Sequence, residues 1–86
     1  MNIENKKFLI TGGTGSFGRT VCQFLLKKKV EEIRIFSRDE NKQHQMRKEI
    51  NDPRVTFFIG DVRDYESVLE ACSGIDYVFH AAALKQ

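Results

Sequence analysis

The sequence predicts an α/β fold, a doubly wound parallel sheet whose four strands lie in the order 3-2-1-4. Short apolar segments alternate with helical patterns in the order β-α-β-α-β-α-β along the 86 residues. That alternation is typical of a parallel sheet covered by helices on both faces. A glycine-rich segment, Thr11–Gly18, joins the first strand to the first helix. Right-handed crossovers then place the topological switch point between strands one and four.

The predicted strands are short and mostly apolar, as expected of strands that are buried on both faces. They are Lys7–Thr11, Glu32–Phe36, Val55–Ile59 and Asp76–His80. In the second strand Ile33 and Ile35 alternate with Arg34. In the third, Phe57 and Phe58 are expected on opposite faces, because successive side chains of a strand alternate.

Three helices are predicted between these strands. They run from Ser16 to about Lys28, from Asp39 to Ile50, and from the capping residue Asp64 to the break at Ser73-Gly74. The side chains expected on the sheet, at helical spacing, are Phe17, Val21, Phe24 and Leu25 in the first helix and Tyr65, Val68, Leu69 and Cys72 in the third. The second helix has only Met46 and Ile50 as apolar side chains. Its outer face should be wet, and Pro53 ends it because proline cannot continue a helix.

The glycine-rich segment has the features of a phosphate-binding loop. Gly12 allows a sharp turn off the strand, Gly15 lets a pyrophosphate approach the backbone, and Gly18 lets the helix lie close to the sheet. The N–H groups of the first helical turn would then point at the phosphates. The spacing is G-x-x-G-x-x-G, which differs from the commonest dinucleotide fingerprint. A tight turn that binds nothing is the alternative, but the flanking strand and helix match the required context.

Composition and charge exclude several classes of protein. Hydrophobic residues make up 41% of the chain and charged residues 30%, with one proline, which excludes a disordered or collagen-like chain. A net charge of +2 is too small to indicate a nucleic-acid or membrane partner. There is no signal peptide and no apolar run of about 18 residues, so we expect a cytoplasmic protein.

The two cysteines, Cys22 and Cys72, are expected to be buried small hydrophobic residues rather than a disulfide. No cysteine or histidine cluster has the spacing of metal ligands, so no metal site is predicted.

The residues after the second strand favour NADP over NAD. An NAD-preferring site would carry an acid about 20 residues beyond the glycines. Here Ser37-Arg38 stands at that point, and Arg38 is twenty positions after Gly18. A guanidinium and a hydroxyl suit a 2′-phosphate, and Lys42 could add charge. Asp39 would repel a phosphate and is assigned to the helix cap. The alternative for Arg38 is a solvated loop cation.

Four further residues stand at the ends of the last two strands or beyond. Asp61 could accept a hydrogen bond from the adenine amino group while Val62 packs on the ring. The alternative, that Asp61 only forms a turn, explains the residue almost as well. His80 is more often a satisfied structural histidine than a catalyst. Lys85 could be an ordinary surface lysine.

Four segments make the chain resemble the extended short-chain dehydrogenase/reductases, and among them the UDP-N-acetylglucosamine 4,6-dehydratases of bacterial capsule, flagellin-sugar and related polysaccharide pathways. The close relatives of those enzymes include UDP-sugar 4-epimerases. The segments are Ile10–Gly18, Ser37–Glu40, Ile59–Asp64 and His80–Gln86. The glycine loop and the Asp-Val pair occur in many extended members. The Ser-Arg-Asp-Glu and Ala-Ala-Leu-Lys strings are much more specific to this branch.

The resemblance implies a Rossmann-type fold, NADP as cofactor and a UDP-sugar as substrate. The positions that it assigns to cofactor binding are Gly12, Thr14, Gly15, Ser16, Phe17, Gly18, Ser37, Arg38, Asp39, Glu40, Lys42, Asp61, Val62, Ala81, Ala82 and Lys85. Lys85 would also lie near the substrate, and the small Ala81 and Ala82 would leave room for the ribose and nicotinamide. We expect a homo-oligomer without a nucleic-acid partner or a membrane span.

For the intact enzyme the resemblance implies oxidation at C4 of the sugar, assisted by a Tyr-x-x-x-Lys pair, and then loss of water across C5–C6. Tyr65 and Tyr77 are followed four residues on by Leu69 and Ala81, so no catalytic residue is predicted here. We therefore expect residues 1–86 to be the N-terminal part of an NADP-binding domain. The alternatives are a UDP-sugar 4-epimerase of the same family and a non-catalytic nucleotide-binding or redox-sensing module.

Overall fold

The computed structural model describes residues 2–80, in which strands and helices alternate strictly. The strands are β1 (Lys7–Thr11), β2 (Glu32–Ser37), β3 (Val55–Ile59) and β4 (Tyr77–His80). The helices are α1 (Ser16–Leu26), α2 (Glu40–Ile50) and α3 (Tyr65–Cys72). All neighbouring strands are parallel and their order is β3-β2-β1-β4. The predicted fold class and strand order are confirmed.

Two apolar cores form on the two faces of this sheet. The larger core lies under α1 and α2 and consists of Phe8, Ile10, Cys22, Leu25, Val30, Ile33, Ile35, Met46 and Val55. The smaller core lies under α3 and consists of Leu9, Phe36 and Ala71, with Val68, Cys72 and Ile75 packed against it. Phe8 and Ile10 of β1 point to one core and Leu9 to the other, as the strand period requires. The sheet is therefore the middle of three layers.

Helix α1 buries only part of the predicted face: Leu25 is buried and Val21 packs against the larger core as expected. Phe17 and Phe24 were expected on the sheet, but they are 62% and 55% exposed. The buried positions are Gly18, Cys22 and Leu25. Gly18 fixes the rotation of α1 about its own axis, because a Cβ at this position would lie 2.5 Å from the Cα of Gly13. Contact with the glycine loop, rather than the size of the side chains, sets the rotation of the helix. The helix also ends at Leu26, before the predicted Lys28.

Helix α3 departs from its predicted stripe in a similar way. Tyr65 and Leu69 are exposed, contrary to prediction, while Val68 and Cys72 pack on the smaller core as expected. The fully buried residue of this helix is Ala71. A small side chain suits that position because it lets the helix backbone approach the sheet closely.

Helix α2 lies mostly in water, as predicted. Its cap is Asp39, whose carboxylate accepts a hydrogen bond from the backbone N–H of Lys42 at 2.9 Å. Met46 is buried and Ile50 half-buried. The helix ends at Asn51, which has a φ of +46°, a left-handed conformation that asparagine tolerates.

Arg34 ties the carboxyl end of α3 to the sheet. Its Nη1 donates to the backbone oxygens of Ala71 at 2.8 Å and Ser73 at 2.9 Å. Its Nε and Nη2 donate to the Glu32 carboxylate. The cation thus satisfies carbonyls that a helix end leaves unpaired and complements the helix dipole.

Arg54 does the same for α1. Its guanidinium donates to the backbone oxygens of Leu26 and Lys28, both at 2.9 Å, while Asp52 pairs with it. The hydrogen bonds of Arg34 and Arg54 to these helix ends are referred to below as tethers. Both tethers lie where the amino ends of the strands meet, at the points where a helix is followed by the next strand. The opposite, carboxyl edge is left for the loops described below.

Cys22 is buried as predicted, whereas Cys72, which was also expected to be buried, is half-buried. Both thiols are free. No helix within residues 2–80 has the length and apolar character needed to cross a membrane.

Candidate functional site

The glycine loop turns sharply over the carboxyl ends of β1 and β2. Gly12 has a φ of +66°, which favours glycine, and its N–H donates to the backbone oxygen of Phe36 at 2.8 Å. A Cβ on Gly13 would lie 2.8 Å from Cγ2 of Ile35. The loop therefore presses directly on β2 before it enters α1.

The amino end of α1 is open to a ligand. Asp39 and Asp64 cap α2 and α3 by accepting hydrogen bonds from backbone N–H groups. Among the three helices of residues 2–80, α1 alone begins without a side-chain cap, because its N-cap is Gly15. A Cβ on Gly15 would meet nothing nearer than the Gly12 oxygen at 3.6 Å. The first-turn N–H groups thus face a space that an anion can enter.

An open cleft of about 560 Å³ lies beside this loop, at the carboxyl end of β2. It is lined by Thr14, Ser37, Arg38, Asp39, Glu40, Asn41 and Lys42. All of these except Asn41 were predicted to bind the cofactor. The Arg38 side chain is 69% exposed, so its charge is accessible to a ligand in the cleft.

Asp61, at the end of β3, lies between two arginines. Arg63 donates from Nη2 to Oδ2 at 2.7 Å, and Nη1 of Arg38 is 3.6 Å from the same oxygen. The side-chain and backbone hydrogen bonds from Arg63 lower the pKa of Asp61 to about 2. Asp61 is therefore an ionised acceptor at neutral pH, and Arg38 joins it to the cleft.

Gln43 of α2 was not predicted, although it supports the cleft from below. It is buried, and its Nε2 donates to Oγ of Ser37 at 3.0 Å and to the backbone oxygen of Phe58 at 2.8 Å. The spacing to Met46 and Ile50, three and seven residues on, is a helical stripe that could have identified it. A glutamine in such a polar helix is otherwise indistinguishable from a surface residue.

His80 joins the ends of β4 and β1. Its Nδ1 lies 2.6 Å from Oγ1 of Thr11, a hydrogen bond across the predicted switch point. This contact agrees with the prediction of a structural histidine.

The other predicted residues lie around the same edge. Ser16 and Phe17 are exposed at the start of α1, Gly18 is buried beneath the loop, and Val62 is exposed beside Asp61. Ala81, Ala82 and Lys85 lie outside the described residues. Residues 2–80 contain no group of three or more side chains placed to hold a metal ion.

The chain matches one family model and many curated proteins. Residues 8–86 match the family described as polysaccharide biosynthesis protein. A UDP-glucose 4-epimerase of Rickettsia bellii is 59% identical in an alignment of 86 positions. That alignment covers 95% of this chain and 25% of that protein. The corresponding protein of Rickettsia felis is 58% identical with the same coverage. The chain thus spans about a quarter of the length of the curated relatives it matches.

Solved structures share the fold. Pen from Bacillus thuringiensis is 40% identical and superposes with a TM-score of 0.94, covering 100% of this chain and 28% of that one. The Bordetella bronchiseptica enzyme WbmF, solved in complex with NAD+ and UDP, is 21% identical with a TM-score of 0.74. That alignment covers 95% of this chain and 24% of WbmF.

Proposed function

The chain belongs to the polysaccharide biosynthesis protein family, and on that premise we propose that it forms the NADP-binding part of a nucleotide-sugar-modifying enzyme, a UDP-sugar 4-epimerase. The observation that carries this proposal is its identity of 59% and 58% to two proteins named UDP-glucose 4-epimerase. The family match, over residues 8–86, includes the glycine loop.

The residues at the carboxyl edge fit a dinucleotide. The open space over Gly15 and the uncapped start of α1 suit a pyrophosphate. Ser37 and Arg38 lie where the adenosine ribose would sit, and Asp61 offers an acceptor for the adenine amino group. When bound, the nicotinamide would supply reversible hydride transfer with the sugar. The residues of this chain bind and orient the cofactor.

We propose NADP rather than NAD because Arg38 and Lys42 line the cleft. Two carboxylates line it as well: Asp39 is engaged at the start of α2, and Glu40 belongs to the first turn of that helix. Arg38→Ala should weaken NADP+ binding on the order of tenfold, the worth of one charge-assisted hydrogen bond, and leave NAD+ binding nearly unchanged. Isothermal titration with both dinucleotides measures this.

The matched control is Lys48→Ala, which removes an exposed cation from α2 at a position that does not line the cleft. It should alter neither affinity. Equal losses for both dinucleotides in Arg38→Ala would mean that Arg38 is structural and that the cofactor assignment is wrong.

A 4,6-dehydratase is the second candidate reaction, favoured by the Ser37–Glu40 and His80–Gln86 strings. Mass spectrometry detects elimination, because its product is lighter by one water, and chromatographic separation of the two epimers detects epimerisation, which leaves the mass unchanged. The full-length protein should convert UDP-glucose or UDP-N-acetylglucosamine without a change in mass. Absence of any turnover would favour a non-catalytic nucleotide-binding module. The UDP-sugar substrate, the homo-oligomer and the cytoplasmic location are parts of the same proposal.

A further inference from the structure

The buried amide of Gln43 lies directly beneath the candidate ribose site. Its Nε2 is within 2.8 Å of the backbone oxygen of Phe58, 3.0 Å of the Ser37 hydroxyl and 3.4 Å of the Ser37 backbone oxygen. The side chain is almost completely buried. Arg38 and Lys42, five and one residues before it in sequence, are exposed and line the cleft.

The chemistry of these partners fixes which end of the amide faces them. Two of the three are backbone carbonyl oxygens of Ser37 and Phe58, which only accept hydrogen bonds. The group that faces them must therefore be the NH2 of Gln43. The NH2 has two protons, and its two nearest acceptors are the Phe58 backbone oxygen and the Ser37 hydroxyl. The Ser37 hydroxyl therefore accepts a hydrogen bond from Gln43, and its own proton is directed elsewhere.

Ser37 lines the cleft although it is only 8% exposed, and no other residue of 2–80 accepts the proton of its hydroxyl. A hydroxyl held in this way is a donor toward whatever occupies the cleft. A phosphate oxygen accepts such a bond in charge-assisted form, which is stronger than a bond to a neutral hydroxyl. A ribose 2′-hydroxyl gains less from it.

We propose that Gln43 is a positioning residue that sets the preference for NADP, because it holds the Ser37 hydroxyl as a donor to the 2′-phosphate. This inference rests on the proposed cofactor function and adds to it a residue that does not touch the ligand. Arg38 supplies the charge, and Gln43 supplies the direction of the hydroxyl proton.

The test is the substitution Gln43→Met, which keeps the length and burial of the side chain and removes its donors. The affinity for NADP+ should fall about tenfold while that for NAD+ changes by less than about twofold. In a Ser37→Ala background, Gln43→Met should no longer change the ratio of the two affinities. Gln45→Met makes the same chemical change at an exposed position of α2 and should have no effect.

Equal weakening of both dinucleotides by Gln43→Met would overturn the inference and leave Gln43 with a structural role alone. A wild-type protein that prefers NADP+, combined with an unchanged ratio in Gln43→Met, would overturn it while sparing the proposed cofactor. A wild-type protein without any preference would overturn both.

A second measurement needs no variant of Gln43 and so holds even if that variant does not fold. In the wild-type protein, NADP+ should shift the NMR resonances of the Gln43 side-chain amide, and NAD+ should not. The shift should disappear in Ser37→Ala, because the hydroxyl that relays it is gone. Absence of the shift in the wild-type protein overturns the inference.

Discussion

Asp61 is a half-buried carboxylate whose ionisation depends mainly on Arg63. Hydrogen bonds from Arg63 lower its pKa from 3.8 to about 2. Replacing Arg63 by methionine should raise that pKa back toward 3.8, because the side-chain donors are lost and only the backbone donor remains. NMR titration of the Asp61 carboxyl carbon measures this directly. An unchanged titration in Arg63→Met would contradict the assignment.

The same pKa fixes the sign of a small pH effect on stability. The folded pKa of Asp61 is below its unfolded value, so the ion pair with Arg63 stabilises the fold above about pH 4. That stabilisation is lost as the pH falls through the range from 3.8 to about 2. Because the pair is exposed, its worth is small.

Cys22 should behave as an unreactive thiol. Burial raises its pKa from 9.0 to about 11, and the thiolate is the reactive form. We expect iodoacetamide at pH 8 to label the half-buried Cys72 before Cys22, as peptide mass mapping would show. The folded state holds the Cys22 proton more tightly than the unfolded state, so stability should decline as the pH rises from 9 to about 11. Faster labelling of Cys22 would contradict its burial.

At the scale of single residues, the sequence predicts the role of a residue that lies at a known distance from a motif. It does not predict the role of a residue whose function depends on the side chains around it in the folded protein. Arg38 was identified by its distance from Gly18, and it does line the cleft. Gln43 was missed because a polar residue in a helix with few apolar side chains is normally solvent-exposed. Only the folded chain places it under Ser37.

At the scale of the elements, strand positions were predictable and helix rotations were not. The strands are short and rich in apolar residues, and the predicted bounds of the four strands agree with the observed bounds to within one residue. The helices were rotated by contacts of small residues, Gly18 against Gly13 and Ala71 against Leu9 and Phe36. A prediction that places the largest apolar side chains on the sheet misses such contacts. The hydrophobicity of the sequence does not indicate where the backbones of two elements approach closely.

The two glycines that flank the start of α1 make a matched pair. Gly18→Ala should destabilise the fold by about 1–3 kcal/mol, because its Cβ would lie 2.5 Å from the Cα of Gly13. Gly15→Ala should leave the stability unchanged, since its backbone is extended and its nearest neighbour would be 3.6 Å away. It should nevertheless weaken dinucleotide binding, because the new methyl occupies the proposed pyrophosphate space.

Urea unfolding and dinucleotide titration of both variants separate these effects. If Gly15→Ala bound both dinucleotides as tightly as the wild-type chain, the pyrophosphate would have to lie elsewhere. Unaltered stability in Gly18→Ala would show that α1 can shift away from the loop without loss.

At the scale of the whole molecule, the two outermost strands of the sheet, β3 and β4, differ. β3 is the edge on one side, where the Arg47 guanidinium lies 4.8 Å above the Phe57 ring, a charge that discourages pairing. β4 pairs with β1 and with no other strand of residues 2–80. Its Val78 is 52% exposed, so β4 presents an apolar side chain to solvent.

We therefore expect the 86-residue chain to self-associate through β4, since an apolar unpaired strand is a template for another strand. Light scattering should show a mass that rises with concentration. Val78→Lys should keep the chain monomeric. Tyr65→Lys, which removes an exposed apolar side chain at the start of α3, should not. A wild-type chain that stays monomeric at high concentration would refute the edge argument.

The separation of the two rims of the sheet has an evolutionary consequence. The tethers of Arg34 and Arg54 hold α3 and α1 at the amino rim, whereas the cleft residues Arg38 and Lys42 are solvent-facing at the other rim. Selection can therefore retune which dinucleotide is accepted by exchanging solvent-facing side chains, without disturbing a bond that anchors a helix. Proteins with this fold can therefore change the residues at the carboxyl ends of the strands, which meet the ligand. The contacts at the amino ends, which stabilise the fold, stay the same.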